Sequence, residues 1–107
     1  DLYLRKGSAD GETAVQLSAL RQQIDEIDNQ IISILGARMN VAQQIGEVKK
    51  AANLAILQNT RWKDVLAKTV ADGQKQNLSE VFVRAVFEAI HTESIERQNA
   101  VMNADEK

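Results

Sequence analysis

A chain of 107 residues with a formal net charge of −2 is the size of one domain, and it lacks the basic excess that a nucleic-acid surface requires. It has no cysteine and one histidine, which excludes a disulfide framework or a thiolate site and argues against a zinc site. Without proline and with 4% aromatic residues, it has the composition of an all-α fold. No apolar run reaches the roughly 18 residues that span a bilayer, and no signal-peptide pattern opens the chain, so we expect a soluble, cytoplasmic protein that binds neither membranes nor nucleic acid.

The first residues have the composition of a linker. Residues 1–12 contain the run Gly7-Ser8-Ala9-Asp10-Gly11, and the chain does not begin with methionine. We predict a linker or tail over residues 1–12 and a helical domain over residues 13–103, cut from a longer polypeptide with another domain upstream. The alternative is an expression remnant at the start of the chain.

A long helix follows in the sequence. Apolar residues recur at three- and four-residue spacing from Leu17 to Ala52, which predicts one helix over residues 13–52 with Thr13 as its cap. At 1.5 Å per residue this helix would be about 60 Å long, whereas a domain of about 100 residues has a radius of gyration of about 13 Å. The rest of the chain cannot cover such a helix, so we expect a partner chain to cover part of it.

Two shorter helices complete the prediction. One spans about residues 57–72, with Asn59 or Thr60 as its cap and Gly73 closing it in the left-handed conformation. The other opens at Ser79 and spans about residues 79–102. Residues 104–107 are predicted to be a frayed tail.

Two cations lie on the apolar face of the long helix. Arg38 and Lys49 are eleven residues apart, a net rotation of only about 20°, so both point into the same apolar stripe. A desolvated cation is costly unless it is paired, and the neighbouring stripe contains no acid. The pattern predicts an anionic ligand at this face.

Other polar residues also occupy apolar faces. Ser94 and Gln98 continue an apolar stripe of the third helix, and buried polar groups of this kind need partners. Arg61 leans toward the core at helical spacing, and its alternative is an ion pair with Asp64. Ser94 and Gln98 alone would be interpreted as satisfied core residues, but beside two inward cations they are candidate site residues.

Arg21 predicts a dimer with shared sites. It lies 17 residues before Arg38, about 25 Å along one helix, too far to share a small ligand within one chain. In an antiparallel twofold dimer with its axis near Ile32, Arg21 of one chain would lie between Arg38 and Lys49 of the other, giving two equivalent sites. The alternative is a solvated Arg21 paired with Asp25.

The pattern resembles the all-helical chorismate mutase family from Leu17 to about Asn99. Its markers are the run from Leu17 to Asp28, Ala37-Arg38 with Val41-Ala42, Ile45 to Lys49, Arg61, and Ser94 with Gln98. The resemblance implies a three-helix protomer in an intertwined antiparallel homodimer with two shared active sites. It also implies the rearrangement of chorismate, a dianion, to prephenate, which needs no nucleophile, metal or organic cofactor.

The resemblance implies roles for the polar residues. Arg21 of the partner chain and Arg38 would grip the two carboxylates of the substrate, and Ser94 would help to seat one of them. Lys49 and Gln98 would donate hydrogen bonds to the ether oxygen as its carbon–oxygen bond breaks. A neutral amide at position 98 predicts no requirement for acid pH, which a glutamate there would impose.

The ring hydroxyl is where the sequence departs from the family. Arg61 would belong to the wall around this hydroxyl, but the next residue, often a glutamate in the family, is Trp62. Gln58 stands where an aspartate is common, and we retain it as a predicted substrate-binding residue. Trp62 and His91 are interpreted as packing residues, and Lys50 as solvated.

Family members are often fused to other shikimate-pathway enzymes. The linker-like start predicts a mutase domain C-terminal to such an enzyme, and we favour the synthase that makes the first seven-carbon sugar acid of the pathway (DAHP synthase). Two other functions stay open: a prephenate-sensing regulatory or dimerisation domain, and an isochorismate pyruvate lyase on the same fold. A plain coiled coil would explain the Leu/Ile stripe but not the inward polar residues.

Overall fold

The computed structural model describes residues 11–56 and 59–104. Within these ranges the chain forms three helices and no strand: α1 (Gly11–Ala52), α2 (Asn59–Lys75) and α3 (Glu80–Met102). The predicted all-α fold with one very long first helix is confirmed. Residues 1–10, 57–58 and 105–107, which include most of the predicted linker and of the frayed tail, lie outside the described residues.

The first helix does not begin where the sequence predicted. Gly11 and Glu12 are already helical, so Thr13 lies inside the first turn and the prediction that it caps α1 was wrong. Glu12 places an acidic side chain in that turn, where the helix dipole favours negative charge. Thr60, a proposed cap of the second helix, likewise lies inside α2.

The end of α1 is closed by an asparagine. Asn53 adopts the left-handed conformation with φ 60°, and its N–H donates to the Lys50 carbonyl at 3.2 Å. The N–H of Leu54 donates to the Lys49 carbonyl at 2.8 Å. This pair of bonds is a Schellman motif, which satisfies carbonyls that the helix end leaves unpaired. The backbone therefore turns just after Lys49 and Lys50.

The end of α2 corrects the prediction for Gly73. The helix continues to Lys75 and no described glycine has a positive φ, so Gly73 is not the left-handed residue. Asn77 takes that conformation, with φ 63°, and the N–H of Leu78 donates to the Gly73 carbonyl at 2.9 Å. Gly73 is instead required by packing, because a Cβ there would lie 2.6 Å from Val83 Cγ2.

The third helix begins as predicted. Ser79 is the N-cap of α3, and its Oγ accepts a hydrogen bond from the backbone N–H of Phe82 at 3.2 Å. Such a cap typically stabilises a helix by about 1 kcal/mol. The helix then runs to Met102, close to the predicted end.

The described chain divides into two units, one ending at Gly36 and the other beginning at Ala37. In residues 11–36 every side chain is exposed except Thr13 and Leu35, which are half-buried. The exposed side chains include the predicted apolar stripe: Leu17, Leu20, Ile24, Ile27, Ile31 and Ile34. Over the described residues, no helix is long and apolar enough to cross a membrane.

The second unit contains the buried residues. Its buried apolar side chains are Met39, Ala42 and Val83, and its buried polar side chains are Ser94 and Gln98. α2 packs against α3. Gly46 is also buried, and a Cβ at this position would lie 3.0 Å from Gln98 Cα. The lack of a side chain at Gly46 thus lets the backbone of α3 approach closely at Gln98.

Replacing Gly73 with alanine tests the packing role of this glycine. Alanine has the higher helix propensity, by about 1 kcal/mol, but the added methyl would press against the stiff, buried Val83 side chain. We expect a net loss of about 1–2 kcal/mol in the free energy of unfolding, measured by urea denaturation. In a Val83→Ala background the same substitution should be neutral or stabilising. An equal loss in both backgrounds would contradict the packing explanation.

Candidate active site

A cavity of about 390 Å³ lies within the second unit, lined by residues of α1, α2, α3 and Ile56. Its size is in the range of small-molecule sites. The wall includes apolar side chains such as Val41, Ile45 and Val65. Its polar residues are Arg38, Lys49, Arg61, His91, Ser94 and Gln98. The structure therefore brings together five of the seven predicted site residues, all except Arg21 and Gln58.

Arg38 is held by a neutral hydroxyl. Its Nη1 donates to Ser94 Oγ at 2.7 Å, and the side chain is half-buried. Ser94 Oγ in turn lies 2.9 Å from the Ile90 carbonyl and 3.7 Å from Met39 Sδ. Because a hydroxyl has one hydrogen, which Ser94 donates to the Ile90 carbonyl, its oxygen is left to accept from Arg38. Ser94 thus orients the Arg38 guanidinium, and the other N–H donors of Arg38 are left for a ligand.

Lys49 is held by a backbone carbonyl. Its Nζ donates to the Ile56 carbonyl at 2.7 Å, a bond that spans the turn after α1. The ammonium group has three donors, so this bond fixes its position and leaves two for a ligand. Like Arg38, the side chain is half-buried and lines the cavity.

Neither cation has a carboxylate partner among the described residues. The ion pairs there are Lys68–Asp72, Lys75–Asp72, Arg84–Glu80 and Arg97–Glu93, all on exposed helix surfaces. Arg61 lines the cavity but is itself exposed. Among the described residues it does not form the alternative ion pair with Asp64. The lining residues that the structure describes include no acid. The cavity therefore has an excess of positive charge suited to a small anion with more than one negative group.

Gln98 is the buried amide of the site. Its side chain is 6% exposed, and its Oε1 has no hydrogen-bond partner among the described residues. A buried polar atom without a partner costs about 1–3 kcal/mol. A Cβ at Gly46 would lie 3.3 Å from both Cβ and Cγ of Gln98, so the base of this side chain packs closely against α1. Gln98 thus keeps an unpaired acceptor, Oε1, for a donor on a bound molecule.

His91 and Trp62 form part of the cavity wall, although the sequence had indicated only packing roles for them. Their rings are stacked, with centroids 4.0 Å apart and planes at 13°. Burial, and to a smaller extent the positive charge of Arg38, lowers the pKa of His91 below its ordinary value. A signal for His91 was present, because it precedes Ser94 by three residues and Gln98 by seven and so shares their face of α3.

Three remaining predictions concern residues elsewhere. Arg21 lies on α1 in the first unit, is exposed, and forms no ion pair with Asp25 among the described residues. Gln58 lies outside the described residues. The prediction that Lys50 is solvated was wrong, because the residue is half-buried and its Nζ donates to the Val101 carbonyl near the end of α3 at 3.1 Å. Placing a cation there complements the negative end of the α3 dipole.

Comparisons with known proteins show which proteins this chain is similar to. The chain is 31% identical over 86 residues to a bifunctional chorismate mutase/prephenate dehydratase of Buchnera aphidicola (from Acyrthosiphon pisum), covering 80% of this chain and 22% of that protein. It is 24% identical over 86 residues to the Escherichia coli K12 protein of the same name, with the same two coverages of 80% and 22%. The chain therefore spans about a fifth of the length of these bifunctional relatives.

A shorter relative, a chorismate mutase by name, is similar to this chain along most of its own length. The chorismate mutase of Methanocaldococcus jannaschii is 25% identical over 85 residues, which cover 78% of this chain and 86% of that protein. The family profile described as Chorismate mutase type II matches residues 20–99, a range that includes Arg21 and every polar residue of the cavity. On this match, which spans most of the sequence, the chain belongs to the chorismate mutase type II family.

Proposed function

We propose that this chain is a chorismate mutase, an isomerase that rearranges chorismate to prephenate. The observation that carries the proposal is the pair of half-buried cations, Arg38 and Lys49, which line one cavity where the described residues supply no acid to neutralise them. Chorismate is a dianion whose rearrangement develops negative charge on an ether oxygen. A cavity of fixed positive charges and neutral donors matches both features.

Arg38 is assigned to a substrate carboxylate. A guanidinium presents a planar fork of donors that suits a carboxylate, and the bond from Nη1 to Ser94 Oγ sets its orientation. Ser94 orients Arg38 through this bond. In the proposed complex it also lies next to the bound carboxylate and helps to seat it. Arg61, an exposed residue that lines the cavity, is assigned to the wall around the ring hydroxyl. Gln58 stays a predicted substrate-binding residue on the basis of the resemblance alone.

Lys49 and Gln98 are assigned to the ether oxygen. One donor aimed at developing charge typically lowers a barrier by about 3–4 kcal/mol. Two such donors together with a substrate held in a near-attack conformation reach the ~8 kcal/mol that a millionfold acceleration requires. The reaction is unimolecular, so these residues position and stabilise without forming a bond to the substrate.

A second copy of the chain completes the site in this proposal. The support is the exposed apolar stripe of α1 from Leu17 to Ile34, whose six large side chains are 44% to 66% exposed. Contiguous apolar surface of this kind on a helix marks a protein interface. In the proposed antiparallel homodimer, Arg21 of the partner subunit grips the second carboxylate, so each of two sites uses both chains.

We also propose that this chain is fused to a second enzyme of aromatic amino acid biosynthesis. We propose that the fused protein acts in the cytoplasm. Its support is the bifunctional relatives, in which a chorismate mutase is joined to a prephenate dehydratase. Those relatives support a multifunctional arrangement without identifying this chain's own partner, so the DAHP synthase expected from the sequence stays a prediction.

The proposal is tested by the loss of chorismate absorbance, with the product identified by acid conversion to phenylpyruvate. Arg38→Ala and Lys49→Ala should each lower kcat/KM by about 10²-fold or more, because each removes a charge that no other group in the cavity replaces. Lys68→Ala is the control, since Lys68 pairs with Asp72 on an exposed surface. No turnover by the wild type, with prephenate binding that depends on Arg38, would contradict a mutase and indicate a sensor domain. Pyruvate release from isochorismate would indicate a lyase.

The neutral amide of Gln98 predicts how the rate varies with pH. An amide donates at any pH, so kcat of the wild type should not fall as the pH is raised from about 5 to about 8. Gln98→Glu should introduce such a fall, because a carboxylic acid donates only while it is protonated. The two pH profiles of kcat provide the measurement. A wild-type rate that collapsed over this range would rule out the assignment of Gln98 to the ether oxygen.

Mixing two inactive variants tests the shared site. In the proposed dimer each site takes Lys49 from one chain and Arg21 from the other. A mixed dimer of Arg21→Ala and Lys49→Ala therefore has one site with both residues intact and one site with neither. After co-refolding an equimolar mixture, about a quarter of wild-type activity should return, measured by the chorismate assay. Recovery should be absent when either variant is refolded alone. If the mixture is as inactive as its components, Arg21 and Lys49 do not serve one site from two chains.

A further inference from the structure

The stacked pair of His91 and Trp62 has no role in the function proposed so far. These residues are the only histidine and the only tryptophan of the chain, and both line the cavity. The indole covers one face of the imidazole at a centroid separation of 4.0 Å. Stacking of this kind restricts rotation of the imidazole ring and leaves its two nitrogens at the ring edge.

Neither nitrogen of His91 has a hydrogen-bond partner within the part of the chain that the structure describes. The side chain is half-buried, so these nitrogens are partly removed from water. An oriented imidazole in a cavity wall, with both nitrogens unpaired, offers them to a ligand.

The charges around His91 favour its neutral form. Arg38 and Lys49 face the cavity from α1 and Arg61 faces it from α2, whereas no carboxylate of the described residues lines it. Burial and the charge of Arg38 lower the pKa of His91, so the imidazole is uncharged at neutral pH. A neutral imidazole has one donor and one acceptor. A carboxylate can use only the donor, whereas a hydroxyl group can donate to one nitrogen or accept from the other.

The polar groups of the cavity thus divide by chemistry. The cations suit the anionic groups of a ligand, and the neutral imidazole suits an uncharged hydroxyl. We propose that His91, held in place by the stacked Trp62, hydrogen-bonds the ring hydroxyl of the substrate and makes the cavity selective for the hydroxylated ring. This inference rests on the proposed function, because it takes the substrate to be chorismate. His91 is a substrate-contacting residue, and Trp62 positions it.

The kinetic test combines a variant with an altered substrate. His91→Phe keeps an aromatic ring for Trp62 to stack on but removes both nitrogens. For chorismate this variant should lower kcat/KM by about tenfold. For an analogue in which hydrogen replaces the ring hydroxyl, wild type and variant should react equally fast. An unchanged rate with chorismate, or the same loss with both substrates, would overturn the proposal.

The positioning role of Trp62 has its own variants. Trp62→Phe retains a stacking ring and should keep the preference for chorismate over the analogue, whereas Trp62→Ala should lose most of it. A loss of activity toward both substrates in Trp62→Ala, with the preference retained, would mean that Trp62 acts only on packing.

A spectroscopic test separates this inference from the proposed function. Because the chain has one histidine, the nitrogen resonances of His91 are identified in an NMR spectrum without assignment. Prephenate retains the ring hydroxyl and serves as a stable ligand. On its addition at about pH 8, both imidazole nitrogens should shift and one tautomer should become fixed. If saturating prephenate leaves them unchanged, the inference fails even for an active mutase. If they shift in a chain that does not turn over chorismate, only the proposed function fails.

Discussion

Arg38 and Lys49 carry positive charge on a half-buried face of α1, where the described chain offers them neutral oxygen atoms and no carboxylate. Placing cations there without counter-ions opposes folding, because each loses part of its hydration. The Ser94 hydroxyl and the Ile56 carbonyl orient the two groups without neutralising them. The free energy that an ion pair would have supplied to the fold is thus left for an incoming anion, which is the basis of the proposed binding and catalysis.

The local backbone structure around these cations positions the groups that line the cavity. The left-handed Asn53 ends α1 directly after its lysines and so places the Ile56 carbonyl within reach of Lys49. The missing side chain of Gly46 brings the backbone of α3 close enough for Gln98 to reach the same cavity. Small residues and helix ends therefore decide where the charged residues act. The site is built within the second unit, on α2, α3 and the part of α1 from Ala37 onward.

Much of this was predictable from the sequence, and the exceptions have physical reasons. The period of apolar residues predicts the helices, and the interruption of that period by Arg38, Lys49, Ser94 and Gln98 predicts the cavity, since both signals are local. Gly73 was misinterpreted because a glycine near a helix end usually adopts a positive φ. Here its lack of a side chain instead makes room for Val83 of α3. The Trp62–His91 stack joins α2 to α3, and no spacing along one helix reports such a contact.

The central claim is that these cations are retained for a ligand at some cost to the fold. Thermal unfolding of Arg38→Met tests it directly, because methionine keeps an unbranched apolar side chain and removes the charge, while Ser94 keeps its bond to the Ile90 carbonyl. The account predicts that the unliganded variant has a Tm equal to or above that of the wild type, and that prephenate raises the Tm of the wild type alone. A variant with a clearly lower Tm, or one that prephenate stabilises as much as the wild type, would contradict it.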